Sequence, residues 1–323
     1  MKTIKIKFVD FWPGFDPKNS LFHSILSKNY KIEYSESPDY LFYSVFGYQF
    51  IQYDCIRIFY TGEQVSPDFD LADYAIGFDY ISFGDRYLRY PLYNLYYSSE
   101  KILSLNYPES DDYYLSRDFS TFVSSNPDAK SQRDLFFNKL MNYRFVSSGG
   151  KHLNNVDGPV KDKNLFLSKH KFNIAFENTK YAGYTTEKIV DAFMARTVPI
   201  YYGNPLISSE FNKDSFINVS RFDSIESAID FIIAVDNDDE AYLKMLKSQK
   251  FNSTYDAFES LDNFLISIFD QDIEKAGRRP YSQRSMRKKT IYLFLYRINR
   301  VYNMFPRFIK KLLRKVFLIK SLD

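Results

Sequence analysis

The sequence predicts an α/β fold with mainly parallel sheets. Two observations lead there: short apolar runs alternate with stretches of helical spacing, and 323 residues suffice for about two domains of roughly 100–200 residues each. Residues 3–9 alternate Lys with Ile and read as a first strand, not as the apolar core of a secretory leader. Residues 21–26 carry helix spacing, and 40–45, 56–60 and 74–76 are apolar runs of strand length. The Tyr- and Ser-rich stretch 96–116, which includes Asp111 and Asp112, reads as a loop between two sets of elements. Beyond it, 119–123, 172–176 and 198–201 read as buried strands, and 133–141, 187–195, 225–233 and 255–269 as helices. We therefore expect one Rossmann-like domain over 1–112, a second over 113–276 with a cleft between the two, and a tail over 277–323.

The formal net charge is +3, but it is unevenly spread. Residues 278–323 hold fourteen Lys and Arg against one acid, so the rest of the chain carries a net −10. An acidic body repels phosphate backbones, and nucleic acid is not an expected partner. The single cysteine, Cys55, excludes an internal disulfide and a Cys-based zinc site; His23, His152 and His170 are too scattered for a His cage. No apolar run approaches the ~18 residues needed to cross a bilayer, which suggests a cytosolic protein. Within 307–319, Phe308, Ile309, Leu312, Leu313, Val316 and Phe317 alternate with Lys310, Lys311, Arg314 and Lys315, after an apolar helix over 290–305 and Pro306. That pattern is a basic amphipathic helix suited to an anionic membrane surface. A domain-capping helix and an RNA-binding tail are the alternatives.

The densest polar constellation is Phe176-Glu177-Asn178-Thr179-Lys180-Tyr181-Ala182-Gly183-Tyr184-Thr185-Thr186-Glu187-Lys188, read as strand end, loop and helix start. Free N–H groups and the positive dipole end at such a helix start attract phosphate, and Lys188 adds a full charge in the first turn. Parallel α/β sheets bind ligands at the carboxyl ends of their strands, where this loop lies. An ordinary capped helix with solvated charges is the competing reading, since no Walker-type or G-x-G-x-x-G spacing is present. Earlier, Gly62 and Glu63 follow the apolar run 56–60, so the chain can turn and present a carboxylate. The only tryptophan, Trp12, stands in an aromatic Pro-Gly loop after the first strand, where its ring either stacks on a sugar or packs.

These residues resemble the α1,3/4-fucosyltransferases of glycosyltransferase family 10, nearest to the bacterial Helicobacter Lewis-antigen enzymes. The likeness is carried by FENTKYAGYTTEKIVDAF with TVPIYYGNP at 197–205, by FYTGE at 59–63 with the acidic-aromatic stretch 70–89, and by FVSSNP at 122–127 with Arg133 downstream. The three blocks span about half the chain in the family order. The resemblance implies a GT-B fold with an acceptor-side domain over 1–112 and a GDP-fucose domain over 113–276. It also implies inverting transfer of L-fucose from GDP-fucose with no cofactor and no metal. The expected product is a Lewis X-type linkage to the 3-hydroxyl of GlcNAc in Galβ1,4GlcNAc-type glycans, with α1,4 or mixed linkage as the alternative. Matched by motif, Glu63 is the general base, and Arg133 and Lys188 hold the diphosphate. Asn178, Tyr184 and Glu187 fall at other donor-site positions, and Ser125 and Asn126 on a loop near the nucleotide. Lys180, an extra base in the loop, departs from the family pattern. Trp12 is the candidate acceptor contact. The expected location is cytoplasmic, peripheral on the inner face of the bacterial cytoplasmic membrane through residues 278–320.

Elementary chemistry agrees with these assignments. Cleaving the sugar–diphosphate bond leaves negative charge that Arg133 and Lys188 can stabilise without a divalent ion. A carboxylate suits the removal of the acceptor proton. Glu187 is open between a catalytic role on sugar-ring charge, a hydrogen bond to donor and a helix cap. Two competing classes remain. The cluster Asp236-Asn237-Asp238-Asp239-Glu240 has the composition of a metal-dependent transferase site, but it does not follow a buried strand, and a solvated loop between helices is the better explanation. A non-catalytic membrane-surface adaptor that binds a nucleotide sugar is the other.

Overall fold

The computed structural model describes residues 1–125, 130–252 and 257–304. The chain forms two compact units, one from Met1–Tyr90 together with the stretch that begins at Phe258, the other from Pro91–Ala257.

The first unit is a six-stranded parallel sheet. Its elements are β1 (Lys2–Val9), α1 (Leu21–Asn29), β2 (Tyr30–Tyr34), β3 (Tyr40–Tyr43), β4 (Ile56–Tyr60), β5 (Tyr74–Gly77) and β6 (Tyr87–Arg89), in the order β2-β1-β3-β4-β5-β6. Every residue of β3, β4 and β5 is buried, which is why these strands read as unbroken apolar runs. Ser20 accepts from His23 N and starts α1, whose Phe22, Ile25 and Leu26 cover the sheet.

The second unit begins with three short helices, α2 (Tyr93–Tyr96), α3 (Ser99–Leu103) and α4 (Asp111–Leu115), followed by β7 (Asp118–Phe122), α5 (Lys130–Met141) and β8 (Val146–Ser148). Then come α6 (Lys163–Leu167), β9 (His170–Phe176), α7 (Lys188–Met194), β10 (Val198–Tyr202), β11 (Ile217–Asn218), α8 (Ile225–Asp236) and α9 (Asp239–Lys247). Its five parallel strands run β11-β10-β9-β7-β8. β9 is buried at all seven positions and is paired on both sides, with β7 and β10. The chain then returns to the first unit through α10 (Ala257–Phe269), α11 (Ile273–Ala276) and α12 (Gln283–Met304).

The units divide elsewhere than at the expected 112 and 276. The stretch read as a loop holds two short helices, α3 and α4, capped by Ser98 and Ser110, and α2 leads into it. It belongs with the second unit because Tyr93 is buried against Phe211, with ring centroids 5.3 Å apart, and donates a 2.6 Å hydrogen bond to Glu210. After Phe258 the anchors lie in the first unit: Phe269 packs at a tilt on Tyr40, ring centroids 4.3 Å apart, and Tyr30 donates to Asp270.

The start of the basic segment expected as a free tail is likewise part of the first unit. Arg278 pairs with Asp85 at 2.7 Å, Arg279 with buried Asp73 at 2.9 Å, and Lys288 with Asp68 at 2.7 Å. Tyr292, Leu293 and Tyr296 of α12 pack on the apolar cluster of β3, β4 and β5. The acidic body and the basic segment are therefore complementary surfaces of one fold. The opposite side of α12 exposes Ile291, Phe294, Ile298 and Val301. The amphipathic segment expected at 307–319 lies outside the described residues. Among those described, no helix is long and apolar enough to cross a membrane.

Two buried charges organise the far side of the second unit. Asp236, wholly buried, pairs with Lys171 at 3.1 Å and Arg144 at 2.8 Å. Asp238 accepts from Ala241 N and caps α9. Of the four carboxylates weighed as a metal site, Asp236 and Asp238 are thus committed to holding helices, and Asp236 is not part of a solvated loop. Lys250 has no carboxylate partner among the described residues. It donates to Leu246 O and lies 5.2 Å from the Phe193 ring centroid, and burial pulls its ammonium down to about 7. The unfolded chain keeps that proton to about pH 10.5, so from pH 7 upward it binds more protons than the folded chain, and stability rises with pH across that window. Lys250→Met is therefore expected to raise the melting temperature most near pH 6 and progressively less toward pH 9. A constant difference across that range in thermal melts would show that Lys250 stays charged in the fold.

Candidate functional site

The site in the second unit is organised by a residue that sequence reading passed over. Glu177 follows the last residue of β9, and its side chain is wholly buried. One carboxylate oxygen accepts from Thr186 N at 2.7 Å; the other accepts from Thr186 Oγ1 at 2.6 Å and from Lys188 Nζ at 3.1 Å. This carboxylate pins the loop 178–187 back onto its own strand and fixes the start of α7. A buried anion with three donors is tolerable where an unpaired one would cost several kcal/mol, on the order of 3–5 if its partner were removed.

A second support comes from the Gly203-Asn204 turn after β10. Asn204 is fully buried; its Oδ1 accepts from Gly183 N at 2.8 Å and Leu206 N at 2.9 Å, and its Nδ2 donates to Thr185 Oγ1 at 3.1 Å. A Cβ on Gly203 would lie 2.5 Å from Glu177 Cγ, so this position must be glycine for the two turns to meet. Gly183 takes φ +85°, a left-handed turn that presents Tyr184 inward.

Lys188 opens α7 between two acids, 3.1 Å from Glu177 and 3.6 Å from Glu187. Burial alone would pull its ammonium down, but Glu177 and Glu187 outweigh that and hold it above the ordinary lysine range. Glu187 occupies the position before α7 without capping it through its side chain. Burial pushes its carboxyl up, while Lys188 and Lys163 prevail and keep it below the usual glutamate value. The cap reading of Glu187 is thereby removed; the other two stay open.

Arg133, on α5, is buried and donates to Asn178 Oδ1 at 3.3 Å. Burial lowers its guanidinium from the arginine range, with Asp134 and Glu177 opposing. Asp134 is in turn held by His152 Nε2 at 2.8 Å, a neighbour that the sequence did not disclose. Arg133, Asn178, Tyr184, Glu187 and Lys188 are thus linked through direct contacts or charge interactions at the carboxyl end of β9. Ser125 is exposed just beyond β7, and Asn126 lies outside the described residues. Beside this cluster is a hollow of about 220 Å³, walled by Phe136, Phe176, Tyr202 and Phe222 and bordered by Lys180 and Asp223.

In the first unit, Glu63 is exposed in the loop after β4. Its turn is held by Thr61, whose Oγ1 accepts from Glu63 N at 3.0 Å and donates to Glu63 O at 3.0 Å. Gly62 is absent from the positive-φ residues, so this turn is made without a left-handed glycine. No hydrogen bond or ion pair engages the Glu63 carboxylate among the described residues. Trp12, half-buried beyond β1, packs with its ring 4.9 Å from Phe15, 5.6 Å from Phe11 and 6.4 Å from Tyr60. The packing alternative for Trp12 is therefore present in the structure.

Comparison with known proteins covers both units. The family described as Alpha-(1,3)-fucosyltransferase FucT N-terminal domain matches residues 6–96, and Glycosyltransferase family 10 (fucosyltransferase) C-term matches 116–276. The chain is 37% identical over 293 residues to the Alpha-(1,3)-fucosyltransferase FucT of Helicobacter pylori, an alignment covering 77% of this chain and 61% of that protein. The chain thus spans about three fifths of the length of that relative. A crystal structure of an α1,3-fucosyltransferase with GDP-fucose superposes with a TM-score of 0.70 at 34% identity, covering 84% of this chain and 91% of that one. An α1,3-fucosyltransferase structure with GDP gives a TM-score of 0.72 at 33% identity, covering 86% and 93%.

Proposed function

Because the chain belongs to glycosyltransferase family 10, the fucosyltransferases, we propose that it transfers L-fucose from GDP-fucose to the 3-hydroxyl of GlcNAc in Galβ1,4GlcNAc-type glycans, with inversion and without a metal. The observation that carries this reading is the Glu177-anchored turn, which sets Lys188 and Arg133 at the carboxyl end of β9. Those two cations take the charge that develops on the departing diphosphate, in a partly desolvated setting where they act most strongly. The aromatic hollow beside them suits a flat purine, and Asp223 on its border supplies a carboxylate able to accept from ring and amino N–H groups. Glu63 removes the acceptor proton as the hydroxyl attacks the anomeric carbon opposite the departing phosphate. Its unengaged carboxylate is available for that exchange. The acceptor sugar stacks on Trp12, whose ring is only partly occupied by its neighbours.

The test is direct. Purified protein is incubated with GDP-fucose and a panel of type 1 and type 2 disaccharides, and product linkage is read by NMR. Fucose on O3 of the type 2 acceptor is the expected result. Fucose on O4 of the type 1 acceptor would replace the proposed linkage, and no transfer to any acceptor would favour the adaptor reading.

The same proposal includes an anionic membrane surface, contacted through residues 278–320 on the inner face of the bacterial cytoplasmic membrane. Because Arg278, Arg279 and Lys288 are engaged by acids of the first unit, the contact falls to the later part of that range. There, Ile291, Phe294, Ile298 and Val301 form an exposed seam at three- and four-residue spacing, with Arg297 and Arg300 beside it. Five basic residues in 307–319 add about 1 kcal/mol each near an anionic surface, before ordering costs. Removing residues 307–323 should abolish pelleting with anionic liposomes at low salt and leave activity on free disaccharides. Full pelleting after truncation would remove this assignment.

A further inference from the structure

A larger hollow adjoins the aromatic one. It measures about 710 Å³, within the range that small-molecule sites occupy, and it opens at the β11 edge of the second sheet. Neither Arg133, Asn178, Tyr184 nor Lys188 lines it, and Phe222 is the one residue it shares with the aromatic hollow beside them.

Its walls are apolar. Phe216, Ile217 and Val235 are buried at its floor, Ala234 and Met245 flank them, and Phe231 stands 41% exposed with its ring 5.4 Å from that of Phe222. An exposed phenylalanine on a concave apolar wall is surface that a ligand can cover. The rim is charged. Lys213, Arg221 and Lys244 are exposed and enter no ion pair among the described residues, although acids are plentiful in this unit. Two carboxylates, Asp214 and the α9 cap Asp238, stand on the rim against these three cations, so the mouth keeps a surplus of one positive charge. An apolar cavity with surplus positive charge at its mouth selects a molecule with the inverse layout.

We propose that this cavity is a second ligand site, binding a single-chain anionic amphiphile: an apolar chain carrying one phosphate or carboxylate group. The chain lies against Phe216, Phe231 and Met245, and the head group meets Arg221 and Lys244 at the rim. A bilayer is not the ligand, since a hollow of about 710 Å³ is of small-molecule size. An added peptide strand fits less well, because β11 is two residues long and offers little backbone to pair with.

Isothermal titration of decyl phosphate, below its micelle concentration, into the 323-residue chain saturated with GDP tests this assignment. Saturable one-to-one binding is expected, with decanol and decyltrimethylammonium each at least tenfold weaker. Ala234→Trp, which fills the cavity from an exposed position, should abolish binding. Arg221→Glu with Lys244→Glu should weaken it at least tenfold. Both variants should bind GDP and pellet with phosphatidylglycerol vesicles as the parent does. If Ala234→Trp loses GDP binding and so fails as a folded control, the charge-reversal variant decides. Binding to the basic tail would persist in both variants, so unchanged decyl phosphate affinity in them overturns the proposal. So does equal affinity for the cationic amphiphile, the absence of saturable heat, or a loss of vesicle pelleting in the charge-reversal variant with its titration unchanged.

Discussion

Glu63→Gln is expected to lower turnover by about 10²–10⁴-fold while GDP affinity stays at the parent value. The amide keeps the shape of the side chain and removes its capacity to take a proton. The Thr61 turn that holds the loop uses only the backbone of residue 63, so it survives the change. Single-turnover measurement with saturating GDP-fucose separates the two quantities. Near-normal turnover would assign the base elsewhere.

The second large effect concerns Lys188. Its removal should reduce turnover by about 10²–10³-fold, of the order seen when one stabilising donor to a developing anion is lost, and should weaken GDP binding. A simple Lys188→Ala confounds two losses, because it also leaves the buried Glu177 carboxylate without its cation. The informative variant is Lys188→Met combined with Glu177→Gln. The glutamine can still accept from Thr186 N and donate to Thr186 Oγ1, so the turn persists without a stranded charge. Weak GDP binding in that folded double variant, by titration calorimetry, isolates the electrostatic contribution. GDP affinity equal to the parent would place the diphosphate away from Lys188.

The sequence exposes elements in proportion to their burial. The runs that became β3, β4, β9 and β10 are almost continuously apolar because both faces of their sheets are covered, so their residues leave little choice. The strands that escaped notice are edges or short pieces. In β2 one residue of five is buried, and β6, β8 and β11 have two or three residues each. The division of the compact units at Tyr90 escaped the sequence for a related reason. Tyr93 looks like any surface tyrosine in a polar stretch until Phe211 and Glu210, more than a hundred positions later, come to meet it. In the site, Lys188 was singled out by its place at a helix start, and Arg133 and Asn178 only by the resemblance to the family motifs. Glu177 was not, since an acid directly after a strand has no local pattern that separates a solvated loop residue from a buried anchor. Its three donors are defined only by the returning turn. Asn204 and His152 were hidden likewise, since their partners come from other loops.

Asp73 links the order of synthesis to the order of folding. Its buried carboxylate accepts from Arg57 N, from Arg278 N and Arg279 N, and pairs with the Arg279 side chain. Three of those four partners are translated after the entire second unit. At about 5–20 residues per second, the ribosome needs roughly 10–40 s to pass from the end of β6 to Arg279. During that interval the second unit has all of its strands, whereas the first has its sheet but neither α10 over Tyr40 nor the arginines that complete Asp73. The unit begun first is therefore finished last, and a nascent chain released before Arg278 carries a complete inserted domain inside an unfinished one.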